Sequence, residues 1–276
     1  MAYGWTKYRK GYKEVRPIEL NTIYNEDCLE GMKRIPDKSV DLTVTSPPYD
    51  NLRTYNGFSW DFEGIANELY RVTKNGGVVV WIVGDGTIKG SESGTSFKQA
   101  LYFKEIGFNL HDTMIWEKWS PFPDKTRYNQ AFEYMFILSK GKPKAINLIK
   151  DKPNKRYKET VTGTSRNKDG SLLELHGKKN KKQIAEFGTR LNVWKIAPVM
   201  SNSERTGHPA QFPEKLIKDH IISWSNEHDT ILDCFMGSGT TAIAAINTNR
   251  NFIGFELDET YYNLSLQRIA EVKKCN

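Results

Sequence analysis

Cysteine is scarce in this chain, with three in 276 residues, at Cys28, Cys234 and Cys275. None falls in a Cys-x-x-Cys pair, and the odd count leaves one thiol over. That argues against a zinc site or a disulfide framework, so no metal is expected and a reducing, cytoplasmic setting is. Long apolar runs are missing too. No stretch approaches the 18 or so apolar residues that span a bilayer, so no membrane partner is expected. Residues 1–16 are basic and aromatic but lack the apolar core of a signal peptide. No Gly-Lys-Ser/Thr follows any glycine pair, which excludes an ATP-type P-loop.

What is present is an ordinary core and an uneven charge. The chain is 38% apolar and carries a net +7. Residues 139–195 hold 16 Lys and Arg against 5 Asp and Glu, a surplus of +11, so the remainder is at −4. A basic segment on a mildly acidic body suits a polyanion. It equally suits a solvated loop, and charge alone does not separate the two.

Apolar runs alternate with amphipathic ones, the pattern of an α/β sheet. Strands are expected at Thr22–Tyr24, Val40–Thr45, Val78–Val83, Thr113–Trp116, Tyr134–Leu138, Ile231–Phe235 and Phe252–Leu257. Helices are expected at Cys28–Ile35, Asp61–Lys74 (closed by Asn75-Gly76-Gly77), Phe97–Ile106, Pro213–Ser225, Thr240–Thr248 and Thr260–Val272. Gly84–Gly94 reads as a loop. Between Ser139 and Lys195 periodicity fades, and only a short helix around Lys181–Phe187 is expected there. The division is therefore residues 1–138, an insertion at 139–195, and 196–276, the outer two forming one domain.

Two loops carry chemistry. Strand Ile231–Phe235 runs into Met236-Gly237-Ser238-Gly239-Thr240-Thr241 and then a helix. Glycines at such a turn let backbone approach a ligand, and the helix start favours negative groups. The next strand ends in Phe255-Glu256-Leu257-Asp258, where a carboxylate can accept from ribose hydroxyls. Together they describe a nucleoside site at the carboxyl ends of parallel strands. Gly237-x-Gly239-x-x-Ala242 also matches the dinucleotide fingerprint, so a nicotinamide cofactor stays open at this point.

The second loop is Ser46-Pro47-Pro48-Tyr49. Two prolines give a stiff backbone without N–H donors, while their carbonyls remain acceptors. Ser46 adds a hydroxyl and Tyr49 a flat aromatic face. Such a loop can hold an aromatic NH₂ by both hydrogens while stacking on its ring. The lone pair of that amine is delocalised, so it is a poor nucleophile. Acceptors aimed at both N–H bonds favour a tetrahedral nitrogen and support positive charge as it attacks. A strand-ending turn with a packed Tyr is the plainer alternative.

These residues resemble the β class of S-adenosylmethionine-dependent DNA amino-methyltransferases. Ser46-Pro47-Pro48-Tyr49 is similar to their catalytic motif. Asp233 to Thr241, including Phe235, Gly237, Ser238, Gly239 and Thr240, is similar to their glycine-rich cofactor motif, with Glu256 and Leu257 in the next. Asn25-Glu26-Asp27-Cys28-Leu29 is similar to the segment that contacts the cofactor's adenine, with Asp27 and Cys28 as the expected contacts. His208-Pro209-Ala210-Gln211-Phe212-Pro213 is similar to the motif that covers the methionine end, and Phe132-Glu133-Tyr134 to a further motif. The resemblance covers most of the chain outside residues 139–195 and the first fifteen or so, with motifs in the order catalytic, insertion, cofactor. It implies a seven-stranded, mostly parallel Rossmann-like sheet with one antiparallel strand near an edge. It also implies S-adenosylmethionine as cofactor and DNA as substrate, with residues 139–195 as the target-recognition segment. Lys178, Lys179, Lys181 and Lys182 are the expected phosphate contacts. Ser at the head of the loop resembles the cytosine-N4 enzymes, whereas Asp or Asn heads it more often in the adenine-N6 ones. The resemblance leaves open a cognate restriction endonuclease as partner, a stand-alone enzyme or a phage enzyme, and a monomer or homodimer is expected.

Other readings remain open. A nicotinamide-dependent dehydrogenase accounts for the glycine loop but not for Ser46–Tyr49. A non-catalytic DNA-binding protein accounts for the basic segment alone. Methylation of RNA or of a protein amide by a related Pro-Pro-Tyr site is a closer alternative; the basic insertion favours nucleic acid but does not separate DNA from RNA. Cytosine-C5 methylation needs a cysteine presented after a proline, and here Asp27, Asp233 and Lys274 precede the three cysteines. Cys28 and Cys234 read as small core residues. His208, Asp85, Trp116 and Trp119 are secondary candidates whose plainer roles are turns and core packing.

Overall fold

The computed structural model describes residues 17–48, 60–118, 125–160, 164–174, 183–199, 206–207 and 210–275. Its centre is one large sheet. In chain order the strands of that sheet are β1 (Thr22–Tyr24), β2 (Val40–Thr45), β3 (Thr73–Val83), β6 (Asn109–Glu117), β7 (Phe132–Ser139), β12 (Val193–Lys195), β13 (Thr230–Asp233) and β14 (Asn251–Phe255). In space they run β1-β14-β13-β2-β3-β7-β6-β12. Only β7 is antiparallel to its neighbours β3 and β6, and all other pairings are parallel. The mostly parallel sheet with one reversed strand is as the sequence implies. Among the described residues its strands number eight, one more than the seven expected.

The extra strand is β12, which lies within the segment read as insertion. Val193, Trp194 and Lys195 pair with Ile115, Trp116 and Glu117, and Trp194 is buried. These three residues lie in a stretch where apolar periodicity has faded, so the strand carries no local signal in the sequence. At the other end of that segment Ser139 belongs to β7, paired with both Val78 and Asn109.

Alternation along β3 supplies two cores, one on each face. Val78, Val80 and Ile82 face one cluster; Val79, Trp81 and Val83 face the other. The second face is covered by α1 (Cys28–Met32), α2 (Phe62–Val72) and α3 (Thr95–Glu105). The first is covered by α4 (Glu214–Trp224), α5 (Thr240–Ile246) and α6 (Glu259–Cys275). Helix α2 stops two residues before the expected Lys74. Thr73 is already extended at ψ 129° and pairs with Val40. Its hydroxyl donates to the Leu69 carbonyl at 2.6 Å, satisfying a helix-end acceptor.

Small ladders lie outside the sheet: β4 (Thr87–Ile88) with β5 (Ser91–Glu92), β8 (Lys152–Pro153) with β11 (Phe187–Gly188), and β9 (Thr164–Arg166) with β10 (Leu172–Glu174). The helix expected around Lys181–Phe187 does not form in the described part of that range. Gln183 bridges to Thr160, and Phe187 pairs with Pro153. Tertiary pairing overrides a weak local preference there. Among the described residues no helix is long and apolar enough to cross a membrane, and no cluster of His, Cys, Asp or Glu could hold a metal.

Candidate active site

Parallel pairing brings the carboxyl ends of β2, β13, β14 and β1 to one edge of the sheet. The two chemical loops leave from neighbouring strands. Ser46, Pro47 and Pro48 follow β2, and the glycine turn follows β13, 188 residues later in the chain but adjacent in space. That is the crevice where open α/β sheets bind ligands.

Asp233 ties the two loops together. Its Oδ1 accepts from the Thr45 hydroxyl at 2.6 Å and from the Phe235 N–H at 3.0 Å. Its Oδ2 accepts from the Thr241 hydroxyl at 2.6 Å. Burial raises the pKa of this carboxyl, and the donors from Thr241, Thr45 and Phe235 oppose that. One side chain thereby fixes the last residue before Ser46, the turn after β13 and the first turn of α5.

The glycine turn is held from two sides. Gly237 and Gly239 have φ of 53° and 82°, the left-handed region that other residues enter at a cost. The Gly237 N–H donates to Glu256 Oε2 at 2.7 Å, and the Asp258 N–H to Glu256 Oε1 at 2.9 Å. Burial pushes the Glu256 carboxyl above its ordinary value, against the pull of those two N–H groups. Behind the turn lies α6. A Cβ on Gly239 would stand 2.9 Å from Ser265 Cβ. Arg268 donates to the Ser238 carbonyl, to Ser238 Oγ at 3.1 Å and to Thr240 Oγ1 at 3.4 Å.

The expected adenine segment lies beside this turn. Asn25 Nδ2 donates to the carbonyls of Glu256 and Leu257 at 2.9 and 3.1 Å. Asp27 is the N-cap of α1, and its Oδ1 accepts from the N–H groups of Leu29 and Glu30. Leu257 is 41% exposed, leaving an apolar surface at the strand tip. Phe235 packs edge-on against Trp60, ring centres 5.5 Å apart. Pro213 is the N-cap of α4, and Phe212 lies 5.8 Å from the ring of Trp116.

The other candidates sort out plainly. Cys28 and Cys234 are buried in the core, as expected, and burial pushes the Cys234 thiol up. Trp116 is core, donating from Nε1 to the Ile196 carbonyl at 2.8 Å. Asp85 accepts from the Ser96 N–H at 2.9 Å and from the hydroxyls of Ser93 and Ser96, which anchors the first turn of α3. Tyr49, Trp119, Lys178, Lys179, Lys181, Lys182, His208 and Pro209 lie outside the described residues. Sequence reasoning includes Thr45 and Asn25 in the motifs at their loops without giving either a supporting role, and it misses the supporting roles of Ser265 and Arg268 altogether. A threonine ending an apolar strand is a faint signal for the first. The other three act through contacts hundreds of positions away or within an unremarkable polar helix face, and carry none.

The residues at this edge fit a nucleoside-bearing cofactor. They offer a carboxylate for hydroxyl donors at Glu256, an apolar tip at Leu257, and a glycine turn held open in a left-handed conformation. Comparison with known proteins agrees. A family model described as DNA methylase, of the N6/N4 methyltransferases, matches residues 40–267. The orphan methyltransferase M.BamHII of Bacillus amyloliquefaciens is 57% identical over 244 residues, 86% of this chain and 91% of that one. Among solved structures, the cytosine-N4-specific PvuII DNA methyltransferase superposes with a TM-score of 0.68 at 22% identity, covering 94% of this chain and 93% of that one. The M1.HpyAVI–SAM complex superposes at 0.59 with 26% identity, covering 89% and 98%. With a family match that spans both loops and the strands that carry them, this chain belongs to the N6/N4 DNA methylase family.

Proposed function

We propose that the chain transfers a methyl group from S-adenosylmethionine to the exocyclic amine of a DNA base, with cytosine N4 as the acceptor atom. The observation that carries this reading is the Asp233 tie, 2.6 Å to Thr45 and 2.6 Å to Thr241. The tie supports the reading because it joins the strand end before Ser46-Pro47-Pro48 to the start of the helix after the glycine turn. The solved M1.HpyAVI–SAM complex supports the cofactor assignment. When bound, S-adenosylmethionine supplies an electrophilic methyl on a sulfonium.

The protein's own part is to orient and polarise. Glu256 and Leu257 hold the nucleoside half, with Asp27 and Cys28 bordering the adenine. The Gly237–Thr241 turn takes the methionine end, and Phe212 and Pro213 cover it. The Ser46 hydroxyl and the Pro47 and Pro48 carbonyls accept from the target amine, raising electron density on a nitrogen that is otherwise a weak nucleophile. Tyr49 stacks on a base flipped out of the duplex, since an amine inside the stack cannot reach the methyl. Transfer is a direct displacement. No cysteine adduct is involved, in keeping with the burial of Cys28 and Cys234.

Residues 139–195 carry the DNA-recognition surface. In their described part Lys152, Lys155, Arg156, Lys158, Arg166 and Lys168 are all exposed. Neutralising one contacting lysine among Lys178, Lys179, Lys181 and Lys182 lowers the salt slope by about 1. The orphan description of M.BamHII supports a stand-alone methyltransferase over one paired with an endonuclease. Cytosine N4 rests on Ser46, whose hydroxyl both accepts and donates, where an Asp would only accept. Mass spectrometry of nucleosides from DNA methylated by the pure protein tests this. N4-methylcytosine is expected. N6-methyladenine alone overturns the choice of atom, and no methylated base overturns the whole reading.

A further inference from the structure

The basic segment is bolted to the sheet at its neck. It leaves β7 at Ser139 and rejoins the sheet at Val193. Near its start the Asn147 N–H donates to the Ser223 carbonyl at 2.9 Å, and its Nδ2 to the Ser225 carbonyl at 3.0 Å, both at the end of α4. The two sides of the neck meet where the Arg190 N–H donates to the Ile149 carbonyl at 2.9 Å.

The Arg190 side chain closes this junction. Its Nε lies 3.1 and 3.0 Å from the two oxygens of Asp151, on the outgoing side of the segment, and Nη2 also reaches that carboxylate. Its Nη1 donates at 2.6 Å to Asp219 Oδ2, on α4, which Lys215 also contacts at 3.0 Å. The guanidinium lies 4.9 Å from the ring of Trp194 on β12, which in turn stacks on His220 of α4 at 4.4 Å. Arg190 and Asp219 keep 17% and 10% of their side-chain surface exposed, so that pair is shielded from water, while Asp151 stays half-exposed. A planar fork can satisfy two carboxylates and a ring face at once, whereas a lysine ammonium makes a point contact.

We propose that Arg190 is a positioning residue that fixes the recognition segment against the catalytic sheet. This inference rests on the reading that residues 139–195 contact DNA. The route to chemistry is short. From Trp194 the chain runs through Lys195 to Ile196, whose carbonyl holds Trp116, and Trp116 packs on Phe212 at the cofactor edge. A segment loosened at Arg190 still offers its lysines to phosphates but no longer presents one base in register with Ser46.

The test uses the full chain with Arg190→Lys, Arg190→Gln and Asp151→Asn. Asp151 is half-exposed, so its variant guards against loss of folding. The DNA probe is a duplex carrying the site found methylated in cells that make the protein, compared with the same duplex altered at one base pair. The expected result is wild-type S-adenosylmethionine affinity with a KM for DNA raised about tenfold and discrimination between the duplexes reduced to match. Arg190→Lys should fall between wild type and Arg190→Gln. Combining Arg190→Gln with Asp151→Asn should cost less than the sum of the two. Unchanged discrimination overturns the inference, as does an equal loss of cofactor affinity, which marks general disruption. If neutralising Lys178, Lys179, Lys181 and Lys182 weakens DNA binding while the Arg190 variants leave both KM and discrimination unchanged, the inference alone fails. If neither set matters, the recognition reading fails with it.

Discussion

Replacing Thr45 by Val tests the tie between the two loops. Valine keeps the branched shape and suits a central strand, so neither a cavity nor a change of backbone preference is introduced. What is lost is one hydroxyl, which donates to Asp233 Oδ1 at 2.6 Å and accepts weakly from the Cys234 thiol at 3.6 Å. Thr45 and Asp233 are 1% and 5% exposed, so water does not take its place. A hydrogen bond to a charged acceptor contributes about 1.5–3 kcal/mol. Asp233 keeps the Thr241 hydroxyl and the Phe235 N–H, which places the expected cost near the middle, about 2 kcal/mol. Thr45→Ser keeps the hydroxyl and loses a methyl, for about 1 kcal/mol. Urea unfolding of the three proteins measures the difference, and single-turnover methylation measures its effect on chemistry. Val should be the less stable variant and the slower one, because the strand end beside Ser46 loses its anchor. If Val equals Ser in both, Asp233 does not couple the loops and the account of the site is wrong.

Three further predictions follow from the same edge and the helix beneath it. Gly239→Ala combines a φ of 82° with a Cβ 2.9 Å from Ser265 Cβ; calorimetric titration should show weaker S-adenosylmethionine binding, which Ser265→Gly restores only in part because the backbone strain remains, and full affinity in the single variant would refute it. Glu256 must be ionised to accept from its two N–H partners and a ribose hydroxyl, and burial holds its pKa up; cofactor affinity should fall as pH drops while still above the ordinary carboxylate range, and Glu256→Gln should be weak and flat with pH. Burial, with Arg190 nearby, depresses the pKa of His220 from 6.5 to about 3, so the unfolded chain binds the proton first and stability is lost as pH falls from the ordinary histidine range toward that value, by at most about 1.4 kcal/mol per pH unit. His220→Phe, which keeps a ring against Trp194, should flatten that acid limb, and an unaltered limb would show that other groups cause it.

Much of this fold is legible in the sequence. Val40–Thr45 and Thr22–Tyr24 were placed to the residue, because apolar strands bounded by turn residues carry a local signal. The ends of α2 and β3 shifted because Thr73 pairs with Val40, a partner no local window contains. The strand β12 and the β8–β11 ladder of the basic segment escape for the same reason: each lies where periodicity fades and is defined by a partner outside any local window. At the site, glycines, prolines and the strand-tip carboxylate announced themselves by type. The supports did not. Arg268 looks like any other charge on a surface helix until the fold brings Ser238 and Thr240 beneath it.

The interleaving of β2 between β3 and β13 also has a consequence for how the polypeptide matures. Val40, Leu42, Thr43, Val44 and Thr45 are buried, yet the strand that covers one flank of β2 emerges from the ribosome some 190 residues after it. Until then an apolar edge with unpaired backbone groups faces solvent, the kind of surface that templates aggregation. Pairings so distant in sequence form slowly. A chain halted before Thr230 should therefore be insoluble and need a chaperone, whereas deleting the small β9–β10 ladder should leave solubility untouched.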